Sequence, residues 1–559
     1  MNKSITDRQT DRQTEIDGAE LFIKCLENEG VEYIFGIPGE ENIAFMDVLL
    51  DSDIKFILTR HEQGAAFMAD VYGRLTGRAG VCLATLGPGA TNLITGVADA
   101  NMDLAPVVAI AGQGATTRLH KESHQVLDLV NLFQPISKYA TQIRAPEVIP
   151  EIVRKAFKDS QMERPGASFI EFPENIASQS TVNQQALVPQ SPLPPVPPQE
   201  KIDQAITLIE NAKFPIIMAG NGVIRAGASD ALVAFSEQFN IPVATTFMAK
   251  GAMPFSHHLS LGAVGLQAHD YVACGFDRAD LVITIGYDMI EYHPYLWNEG
   301  KAATILHINA NAAEVDAHYQ LEAGVIGDIN AALNSICSGS DFRHESHSTS
   351  LRDTLEKLMA EHANDDSFPI KPQKILWDLR EALDSEDILI SDVGAHKMWV
   401  ARMYQAEAPN TCIISNGFAA MGIGVPGAIA AKMVHPDRKV VTVTGDAGFL
   451  MNSQEIETAL RLNLALVILV WNDSEYGLIK WHQLRHFGRE SNIRFNNPDL
   501  VKYAESFGAK GYRVDSTEQL LPTLQKAFAD NTVVIIDCPV DYSENMKLTE
   551  HLGELVCAI

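Results

Sequence analysis

Short apolar runs alternate with amphipathic stretches from Glu20 onward, as in VEYIFGIPG, IKFILTRHE and GVCLATLGPG. Each run is rich in β-branched or aromatic residues and ends in glycine or a polar residue, which is typical of a strand followed by a turn. Strands that alternate with helices predict parallel α/β sheets, with functional loops after the carboxyl ends of the strands. We therefore expect an α/β protein built from parallel sheets.

Two breaks divide this rhythm. Residues 186–200 are rich in proline, which excludes a helix or a central strand and predicts an extended linker. Residues 337–367 are polar with a helical segment and predict a second linker. Residues 1–15 repeat the polar unit DRQT and predict a disordered arm. The three domains expected between these segments are 16–185, 201–336 and 368–559.

Composition narrows the class of protein. The 559 residues carry 43 Lys and Arg against 71 Asp and Glu, a net charge of −28, which argues against nucleic acid and anionic membranes as partners. The seven cysteines form no CxxC pair, so the sequence predicts a reducing cytoplasm and no zinc knuckle. No apolar run approaches the ~18 residues that cross a bilayer. We expect a cytoplasmic protein that binds neither nucleic acid nor a membrane.

Two strongly apolar runs, KVVTVTGD and LALVILVWND, each end in an acid, Asp446 and Asp473. They lack alternation, as expected of strands buried on both faces. A helix between Phe449 and Leu462 would return the chain by a right-handed crossover, so the two acids would emerge at neighbouring strand ends. Clustered carboxylates suit Mg²⁺ or Ca²⁺ rather than a soft transition metal.

The turn after the first of these strands contains Gly445, Ala447 and Gly448. Such small residues let backbone amides approach an anion such as phosphate. The alternative is that each acid merely caps the helix that follows it. The joint occurrence of two acids, buried strands and glycines favours a site for a metal bridged to a phosphate.

Residues 445–473 resemble the thiamin-diphosphate fingerprint, GDG followed by NN or ND. Over residues 16–550 the chain resembles the acetohydroxyacid synthase group, most of all its FAD-independent catabolic acetolactate synthases. The resemblance implies three α/β domains, which bind the pyrimidine, form the centre and bind the diphosphate. It also implies thiamin diphosphate as cofactor and Mg²⁺ held by Asp446, Asp473 and the backbone carbonyl of Glu475.

Glu62 ends IKFILTRHE and begins a predicted helix, where an acid is favourable for the helix dipole alone. By resemblance it is the Glu of an RHE motif that activates the pyrimidine ring. A carboxyl group in an apolar setting can share a proton with such a ring. His124 and Gln125 match a pair that lies near the reacting carbon in the family. Without the resemblance they would be read as a polar surface pair.

The resemblance also assigns Met421, in SNGFAAMGIG, as the large apolar residue that wedges the cofactor into a bent conformation. The carbonyl of Ala419 is implied to accept a hydrogen bond from the 4′-amino group of the cofactor. Without the motif, Met421 would be read as simple core. The further residues implied to contact the cofactor are Gly36, Gly394, Ala395, His396, Gly445, Asp446, Ala447, Gly448, Asp473, Glu475 and Tyr476.

Several positions depart from the pattern of the family. Ala447 replaces the usual Gly, and Asp473 replaces the usual Asn, as in the catabolic enzymes. Glu41 stands where catabolic enzymes carry Lys, and Leu86 stands where relatives carry Ser. Trp481 resembles a substrate-pocket Trp of the FAD-dependent branch but lies one residue closer to the preceding Gly.

The central domain contains AGNGVIRAGA after a predicted strand, a weak dinucleotide signal with no clearly placed acid for the ribose. The FAD-dependent relatives carry an Arg-containing FDDRVTG-like segment after a VGAR strand, whereas this chain has GYDMIEYHPYLW. We therefore expect a vestigial nucleotide fold without bound FAD.

The resemblance implies an acetolactate synthase, which decarboxylates pyruvate and ligates the hydroxyethyl unit to a second pyruvate, giving 2-acetolactate and CO₂. It implies a homodimer, or a tetramer of two dimers, because the family completes each cofactor site across a subunit interface. The alternatives are a related 2-oxoacid decarboxylase or carboligase, a flavin or nicotinamide oxidoreductase, and a non-catalytic interaction protein. Such decarboxylases usually show adjacent histidines where this chain has His124 and Gln125. The sequence leaves open which 2-keto acids are used, and whether acetoin or branched-chain amino acids are the end product.

Overall fold

The structure is a computed structural model that describes residues 15–190, 193–265, 271–300, 303–345 and 349–548. It contains three six-stranded sheets in which every neighbouring pair of strands is parallel. This confirms the predicted α/β class. Residues 1–14 of the predicted N-terminal arm lie outside the described residues.

The first sheet has the strand order β3-β2-β4-β5-β7-β6, and a short antiparallel pair, β1 with β8, joins the two ends of this region. Its elements are β1 (Glu15–Asp17), α1 (Gly18–Asn28), β2 (Tyr33–Gly36), α2 (Ile43–Leu49), β3 (Lys55–Leu58), α3 (Glu62–Thr76), β4 (Gly80–Ala84), α4 (Pro88–Met102), β5 (Val107–Gln113), α5 (Leu129–Phe133), β6 (Tyr139–Gln142), α6 (Ile149–Gln161), β7 (Ala167–Pro173), α7 (Glu174–Ala177) and β8 (Ser180–Val182).

The central sheet has the order β11-β10-β9-β12-β13-β14. The proline-rich segment before it lies against this sheet, since the carbonyl of Pro195 accepts a hydrogen bond from the amide of Asp328 over 2.8 Å. The elements are α8 (Gln199–Asn211), β9 (Pro215–Ala219), α9 (Gly222–Arg225), α10 (Ser229–Phe239), β10 (Val243–Thr245), β11 (Ser260–Ala263), α11 (Tyr271–Arg278), β12 (Leu281–Ile285), β13 (Thr304–Asn309), β14 (Leu321–Ile326), α12 (Ile329–Gly339) and, beyond the sheet, α13 (Thr349–Glu361).

The third sheet has the order β16-β15-β17-β18-β20-β19. A 3-10 helix over Tyr542–Leu548 follows its last strand. The elements are α14 (Pro372–Ala382), β15 (Ile388–Ser391), α15 (Ala395–Met403), β16 (Cys412–Ile414), α16 (Gly424–Val434), β17 (Val440–Gly445), α17 (Asp446–Asn452), α18 (Glu455–Arg461), β18 (Leu466–Asn472), α19 (Gly477–Phe487), α20 (Leu500–Phe507), β19 (Lys510–Arg513), α21 (Leu520–Ala529) and β20 (Val533–Pro539).

The first and third sheets share one topology, because counting strands within each gives the order 2-1-3-4-6-5 in both. The central sheet gives 3-2-1-4-5-6, the doubly wound order of dinucleotide-binding folds. In such open sheets, ligands bind at the carboxyl ends of the strands where the strand order reverses. In the third sheet that reversal lies between β15 and β17.

The strands of the third sheet are buried on both faces, which explains why their sequences do not alternate. Val440 belongs to the core shared with the first sheet, whereas Val441 and Val443 belong to the core on the opposite face. The shared core joins the two sheets through α3, α4 and α16. Glycines permit this close approach: a Cβ at Gly96 of α4 would lie 2.5 Å from Ala66 of α3.

The crossover from Phe449 to Leu462, predicted as one helix, is formed by the two helices α17 and α18, with a break at Ser453 and Gln454. The break lets the carboxylate of Glu455 turn toward the first sheet, where it accepts hydrogen bonds from backbone amides that precede α3. This contact joins residues almost 400 positions apart, so local periodicity cannot reveal it. Among the described helices, none has the length and apolarity needed to span a membrane.

Candidate active site

The carboxyl ends of β15, β17 and β18 lie side by side in the third sheet, as their pairing shows. Gly394 follows β15 and precedes α15, Asp446 follows β17, and Asp473 follows β18. The predicted acids therefore emerge at neighbouring strand ends. They lie beside the point where the strand order reverses, which is where open α/β sheets bind ligands.

Asp446 is buried, with 1% of its surface exposed, and its carboxylate accepts several hydrogen bonds at the carboxyl end of β17. Oδ2 accepts hydrogen bonds from the backbone amide of Ser474 and from the side-chain amide of Asn497, both over 2.7 Å. Oδ1 accepts from the amide of Ala447 over 2.8 Å. Burial raises the pKa of Asp446, and these hydrogen bonds oppose the rise.

Asp473 is the electrostatic partner of Asp446. Burial and, second in size, the charge of Asp446 together raise the pKa of Asp473 to about 7. A Cβ at Gly477 would lie 3.0 Å from Oδ2 of Asp473, a tight contact that the glycine avoids. Two neighbouring carboxylates that repel each other are stabilised when a divalent cation lies between their oxygens.

The side chain of Glu475 is already neutralised by cations. Its carboxylate pairs with Lys480 over 2.5 Å and with Arg494 over 2.9 Å. Among the described residues, no group of three His, Cys, Asp or Glu side chains is arranged to hold a metal ion. A metal beside Asp446 and Asp473 therefore needs ligands of another kind, such as a backbone carbonyl or the oxygens of a bound anion.

Tyr476 follows on the same loop. Its amide donates to the carbonyl of Ile493 over 2.9 Å, and its ring, 40% exposed, meets the ring of Phe495 edge to face. The structure thus places Tyr476 at the open side of the edge that carries the two acids.

His396 lies in the first turn of α15 and is 2% exposed. Burial lowers its pKa to about 3, so the imidazole is neutral at physiological pH. Gly394 and Gly445 flank the ring: a Cβ at either position would lie within 2.8 to 3.3 Å of ring atoms. Among the described atoms, Nε2 of His396 is buried and has no hydrogen-bond partner. A polar ligand at this edge would satisfy Nε2.

The loop that joins β16 to α16, residues 415–423, carries Ala419 and Met421. Ala419 has φ +57°, in the left-handed region, which turns its peptide group away from the usual direction. Met421 is half-buried. The end of the loop is fixed by Asp392, whose carboxylate accepts a hydrogen bond from the amide of Gly422 over 2.9 Å.

Glu62 is the first residue of α3 and is 8% exposed. Its Oε2 accepts a hydrogen bond from the side-chain amide of Asn92 on α4 over 2.9 Å. The first turn of α4 approaches the other oxygen, since a Cβ at Gly89 would lie 3.3 Å from Oε1. His61 caps the helix by accepting from the amide of Gln63 over 3.0 Å. The helix therefore has a cap of its own, and Glu62 is not needed as one.

Gln125 lies in the loop after β5, with φ +57°, and its Cβ is 2.9 Å from where a Cβ on Gly87 would be. This places Gln125 against the N-terminal end of α4, which also approaches Glu62. The side chains of His124 and Gln125 are both exposed. Gly36, at the end of β2, has a structural reason to be glycine, because a Cβ there would meet the carbonyl of Leu83 at 2.2 Å.

The structure shows what surrounds three residues that depart from the family pattern: Glu41, Leu86 and Trp481. Glu41 accepts a hydrogen bond from the hydroxyl of Thr85 over 2.8 Å, so its charge is held beside the N-terminal end of α4. Leu86 is fully buried in the core. Trp481 is buried, its Nε1 has no partner among the described atoms, and it lines a cavity of about 460 Å³ together with Asp473.

Three residues that contribute to this arrangement were not predicted: Asn497, Asn92 and Asp392. Asn497 and Asn92 are reached only through tertiary contacts, and no motif marks them. Asp392 could have been found, because it follows the strand DILIS and precedes a glycine, the same signal that identified Asp446.

The edge that carries Glu62 lies close to the helix that begins at Asp446. The side-chain amide of Asn452, at the end of α17, donates to Oε1 of Gln63 over 3.3 Å. The carboxylate of Glu455 accepts from the amides of Arg60 and His61, both over 3.0 Å. Within one chain, the beginning of α3 therefore lies at the end of α17 opposite to Asp446.

In the glycine turn of the central domain, residues 220–222, backbone amides are hydrogen-bonded to other groups of the same chain. Both carboxylate oxygens of Glu291 accept from the amide of Asn221, over 3.1 and 3.0 Å. The amide of Gly222 donates to the carbonyl of Gly286 over 2.8 Å. Burial raises the pKa of Glu291 to about 7, and the neighbouring charge of Asp288 acts in the same direction. The amides that would bind a pyrophosphate in a dinucleotide-binding fold are thus already bonded.

Three family models match the chain in the order of its sheets. They are described as the N-terminal TPP binding domain, the central domain and the C-terminal TPP binding domain of thiamine pyrophosphate enzymes, and match residues 16–132, 202–336 and 392–538. The N-terminal match contains Glu62, and the C-terminal match contains Asp446 and Asp473. The predicted resemblance is confirmed at this level.

Curated relatives match along nearly the whole chain. An acetolactate synthase of Bacillus subtilis is 38% identical over an alignment of 558 positions that covers 96% of this chain and 96% of its own. A probable acetolactate synthase large subunit of Methanocaldococcus jannaschii is 36% identical over 96% of this chain and 94% of its own. A catabolic acetolactate synthase of Raoultella terrigena is 34% identical over 96% of this chain and 98% of its own.

Proposed function

The chain belongs to the acetolactate synthase family of thiamine pyrophosphate enzymes, and from this premise we propose that it converts two molecules of pyruvate into 2-acetolactate and CO₂. The observation that carries the proposal is that Asp446 and Asp473 lie side by side at the carboxyl ends of two neighbouring buried strands. The buried Glu62 at the corresponding edge of the first sheet supplies a second, separate carboxylate.

The residues present fit thiamin diphosphate and Mg²⁺. Burial raises the pKa of both carboxylates, and the charge of Asp446 raises that of Asp473 as well; a divalent cation would relieve this repulsion, and the unpartnered Nε2 of His396 lies at the same edge. Asp446, Asp473 and the backbone carbonyl of Glu475 would hold Mg²⁺. The residues that would surround the diphosphate are Gly394, Ala395, His396, Gly445, Ala447, Gly448 and Tyr476.

The pyrimidine end would lie between the first and third domains. When bound, thiamin diphosphate supplies a carbon nucleophile and accepts the electrons that decarboxylation releases. Glu62 would exchange a proton with a ring nitrogen of the pyrimidine, and Asn92 holds its Oε2 while it does so. The carbonyl of Ala419 and the side chain of Met421 would fix the orientation of the ring. Gly36 would lie at the back of this site.

The substrate end of the site is formed by exposed groups. We place Gln125 and His124 beside the reacting carbon, because Gln125 packs against the N-terminal end of α4, which also approaches Glu62. Glu41, bonded to Thr85, gives this region a negative charge. A negative charge here disfavours a substrate with two carboxylates more strongly than a monoanion such as pyruvate.

We propose that the working form is a homodimer, or a tetramer of two dimers. In the single chain, large apolar side chains remain exposed around the candidate site, and such patches mark interaction surfaces. These exposed residues are Leu127 at 45%, Leu132 at 40%, Phe418 at 42%, Leu450 at 37% and Met451 at 43%. A second copy of the chain would cover them and would bring another Glu62 to the cofactor.

We propose that FAD is not used. The central sheet has the dinucleotide-binding strand order, yet Glu291 occupies the amide that a pyrophosphate would need, and a Cβ at Gly220 would lie only 2.8 Å from its Oε1. An anion at this turn would have to displace a buried carboxylate. The domain boundaries and the cytoplasmic location that the sequence predicts belong to the same proposal.

The test is turnover of pyruvate by the purified protein with thiamin diphosphate and Mg²⁺ but without FAD. Acetolactate and acetaldehyde are quantified side by side, and Asp446→Ala serves as the inactive control. Acetolactate as the main product is expected. Acetaldehyde alone would indicate a non-ligating decarboxylase, and activity that depends on added FAD would contradict the role given to Glu291.

A further inference from the structure

Three buried acids of the first domain surround one arginine. Asp70, Asp99 and Asp103 are all fully buried, and the guanidinium of Arg74 donates to each of them. Arg74 also donates to the carbonyl of Ile414 over 3.1 Å, the last residue of β16 in the third sheet. The cluster therefore lies where α4 meets the strand that leads into the loop 415–423.

Two of these acids bind that loop directly. Asp103 accepts hydrogen bonds from the amides of Asn416, over 3.0 Å, and of Gly417. Asp99 accepts from the hydroxyl of Ser415 over 2.7 Å and from the amide of Ala420 over 3.2 Å. The loop thus donates four hydrogen bonds to the two carboxylates, with Ala419 held between them.

The same face of α4 also holds Glu62. Asn92, Asp99 and Asp103 are separated by seven and then four residues, which places them along one side of the helix. Asn92 lies near the beginning of α4, and Asp103 is its C-terminal cap. One helix therefore contacts both the predicted acid for the pyrimidine and the loop that carries Ala419.

We propose that Asp99 and Asp103, held by Arg74, are positioning residues that fix the loop 415–423 so that the Ala419 carbonyl and Met421 meet the cofactor correctly. This inference rests on the proposed function for the identity of that cofactor. Neither acid touches the cofactor in this scheme, because both bind the loop from the side of the first domain. Burial makes each carboxylate costly unless it is hydrogen-bonded, so the arrangement tolerates little movement of the loop.

The experiment compares Asp99→Asn and Asp103→Asn with a matched control, Asp70→Asn. Asp70 pairs with the same Arg74, but within the described residues it makes no hydrogen bond to the loop. All three variants replace one buried carboxyl group of the same cluster by an amide. Only the first two weaken hydrogen bonds to the backbone that carries Ala419.

The first readout is hydrogen–deuterium exchange in the protein without cofactor. The amides of Asn416 and Gly417 in Asp103→Asn, and of Ala420 in Asp99→Asn, are expected to exchange about tenfold faster, as expected for one weakened charge-assisted hydrogen bond. Asp70→Asn should leave these amides protected. The proposal would be overturned if these amides exchanged equally fast in all three variants. It would also be overturned if Asp99→Asn and Asp103→Asn exchanged no faster than the wild type.

The second readout is the thiamin diphosphate concentration that gives half-maximal activity. We expect it to rise about tenfold in Asp99→Asn and Asp103→Asn, and to change less than twofold in the control. Ser415→Ala, which removes one hydrogen bond but no charge, should shift it in the same direction. This variant keeps the test decisive if a charge-altering variant does not fold. A wild-type protein that binds no thiamin diphosphate would contradict the proposed function instead, and the exchange measurement separates the two failures.

Discussion

The side-chain amide of Asn92 donates a hydrogen bond to Oε2 of Glu62 over 2.9 Å, and so links the beginning of α4 to the beginning of α3. One oxygen of the carboxylate is thereby held, while the turn at Gly89 approaches the other. A carboxylate held in this way keeps one direction for proton exchange. The link also explains why a nearly buried acid is retained at a helix start that His61 already caps.

Glu62→Gln is expected to bind thiamin diphosphate and Mg²⁺ normally but to lower the rate of pyruvate turnover about 100-fold or more, because an amide cannot exchange the proton. Cofactor binding by calorimetry and product formation are measured on the same preparation. Glu20→Gln, which removes a first-turn acid from α1, is the control for the helix-dipole explanation. Comparable loss of turnover in both variants would remove Glu62 from the mechanism.

Asp446→Ala is expected to abolish binding of Mg²⁺ and thiamin diphosphate, because it removes a buried ligand and leaves the amides of Ala447 and Ser474 without their acceptor. Asp473→Asn should weaken the binding of Mg²⁺ and thiamin diphosphate far less. It removes the charge that repels Asp446 but keeps an oxygen ligand, so the protein without metal should melt at a higher temperature than the wild type. Unchanged Mg²⁺ affinity in Asp446→Ala would contradict the metal assignment.

The sequence predicted the parts of this site that depend on strand ends. Asp446 and Asp473 could be placed together because buried strands, an intervening helix and parallel pairing follow from local patterns. Asn92 and Asn497 could not, because their partners lie far away in the chain and amides carry no positional signature. The resemblance named Ala419 and Met421, but not the carboxylates that hold their loop.

The helix predicted from Phe449 to Leu462 shows the same limit. Its apolar spacing is helical throughout, yet the chain breaks so that Glu455 can accept hydrogen bonds from amides before α3. A tertiary hydrogen bond therefore overrides local periodicity. In the central domain the glycine turn gives a weak signal for nucleotide binding. Only the structure shows that the carboxylate of Glu291 accepts a hydrogen bond from the amide of Asn221 in this turn.

Glu291→Gln should change how stability depends on pH. Burial raises the pKa of Glu291 from 4.5 to about 7, so the folded protein binds the proton more tightly than the unfolded chain. The contribution of Glu291 to the free energy of unfolding of the wild type is therefore fully present below about pH 4.5. It is lost as the pH rises through about 7. The variant should be more stable than the wild type at pH 8 by on the order of 1–3 kcal/mol, and nearly equal to it at pH 5.

Denaturant unfolding at the two pH values measures this difference, with Glu322→Gln as the control for an exposed acid of the same domain. Arg225 and Asp288 lie beside Glu291 and contribute to its charge environment. Equal pH dependence in the variant and the wild type would show that Glu291 is ionised in the folded protein. Flavin bound by the variant but not by the wild type would add weight to the role proposed for this side chain.

Mixing two inactive variants tests whether each site is shared between subunits. If Glu62 of one chain serves the cofactor held by Asp446 of its partner, a dimer of one Glu62→Gln chain and one Asp446→Ala chain contains one intact site. Random exchange of equal amounts should then restore about a quarter of wild-type activity, because half of the dimers are mixed and each has one working site. The two variants are unfolded and refolded together, and acetolactate formation is compared with each variant refolded alone. Light scattering confirms that dimers have formed. Dimers without restored activity would show that Glu62 and Asp446 of the same chain form the site, and would contradict the shared arrangement.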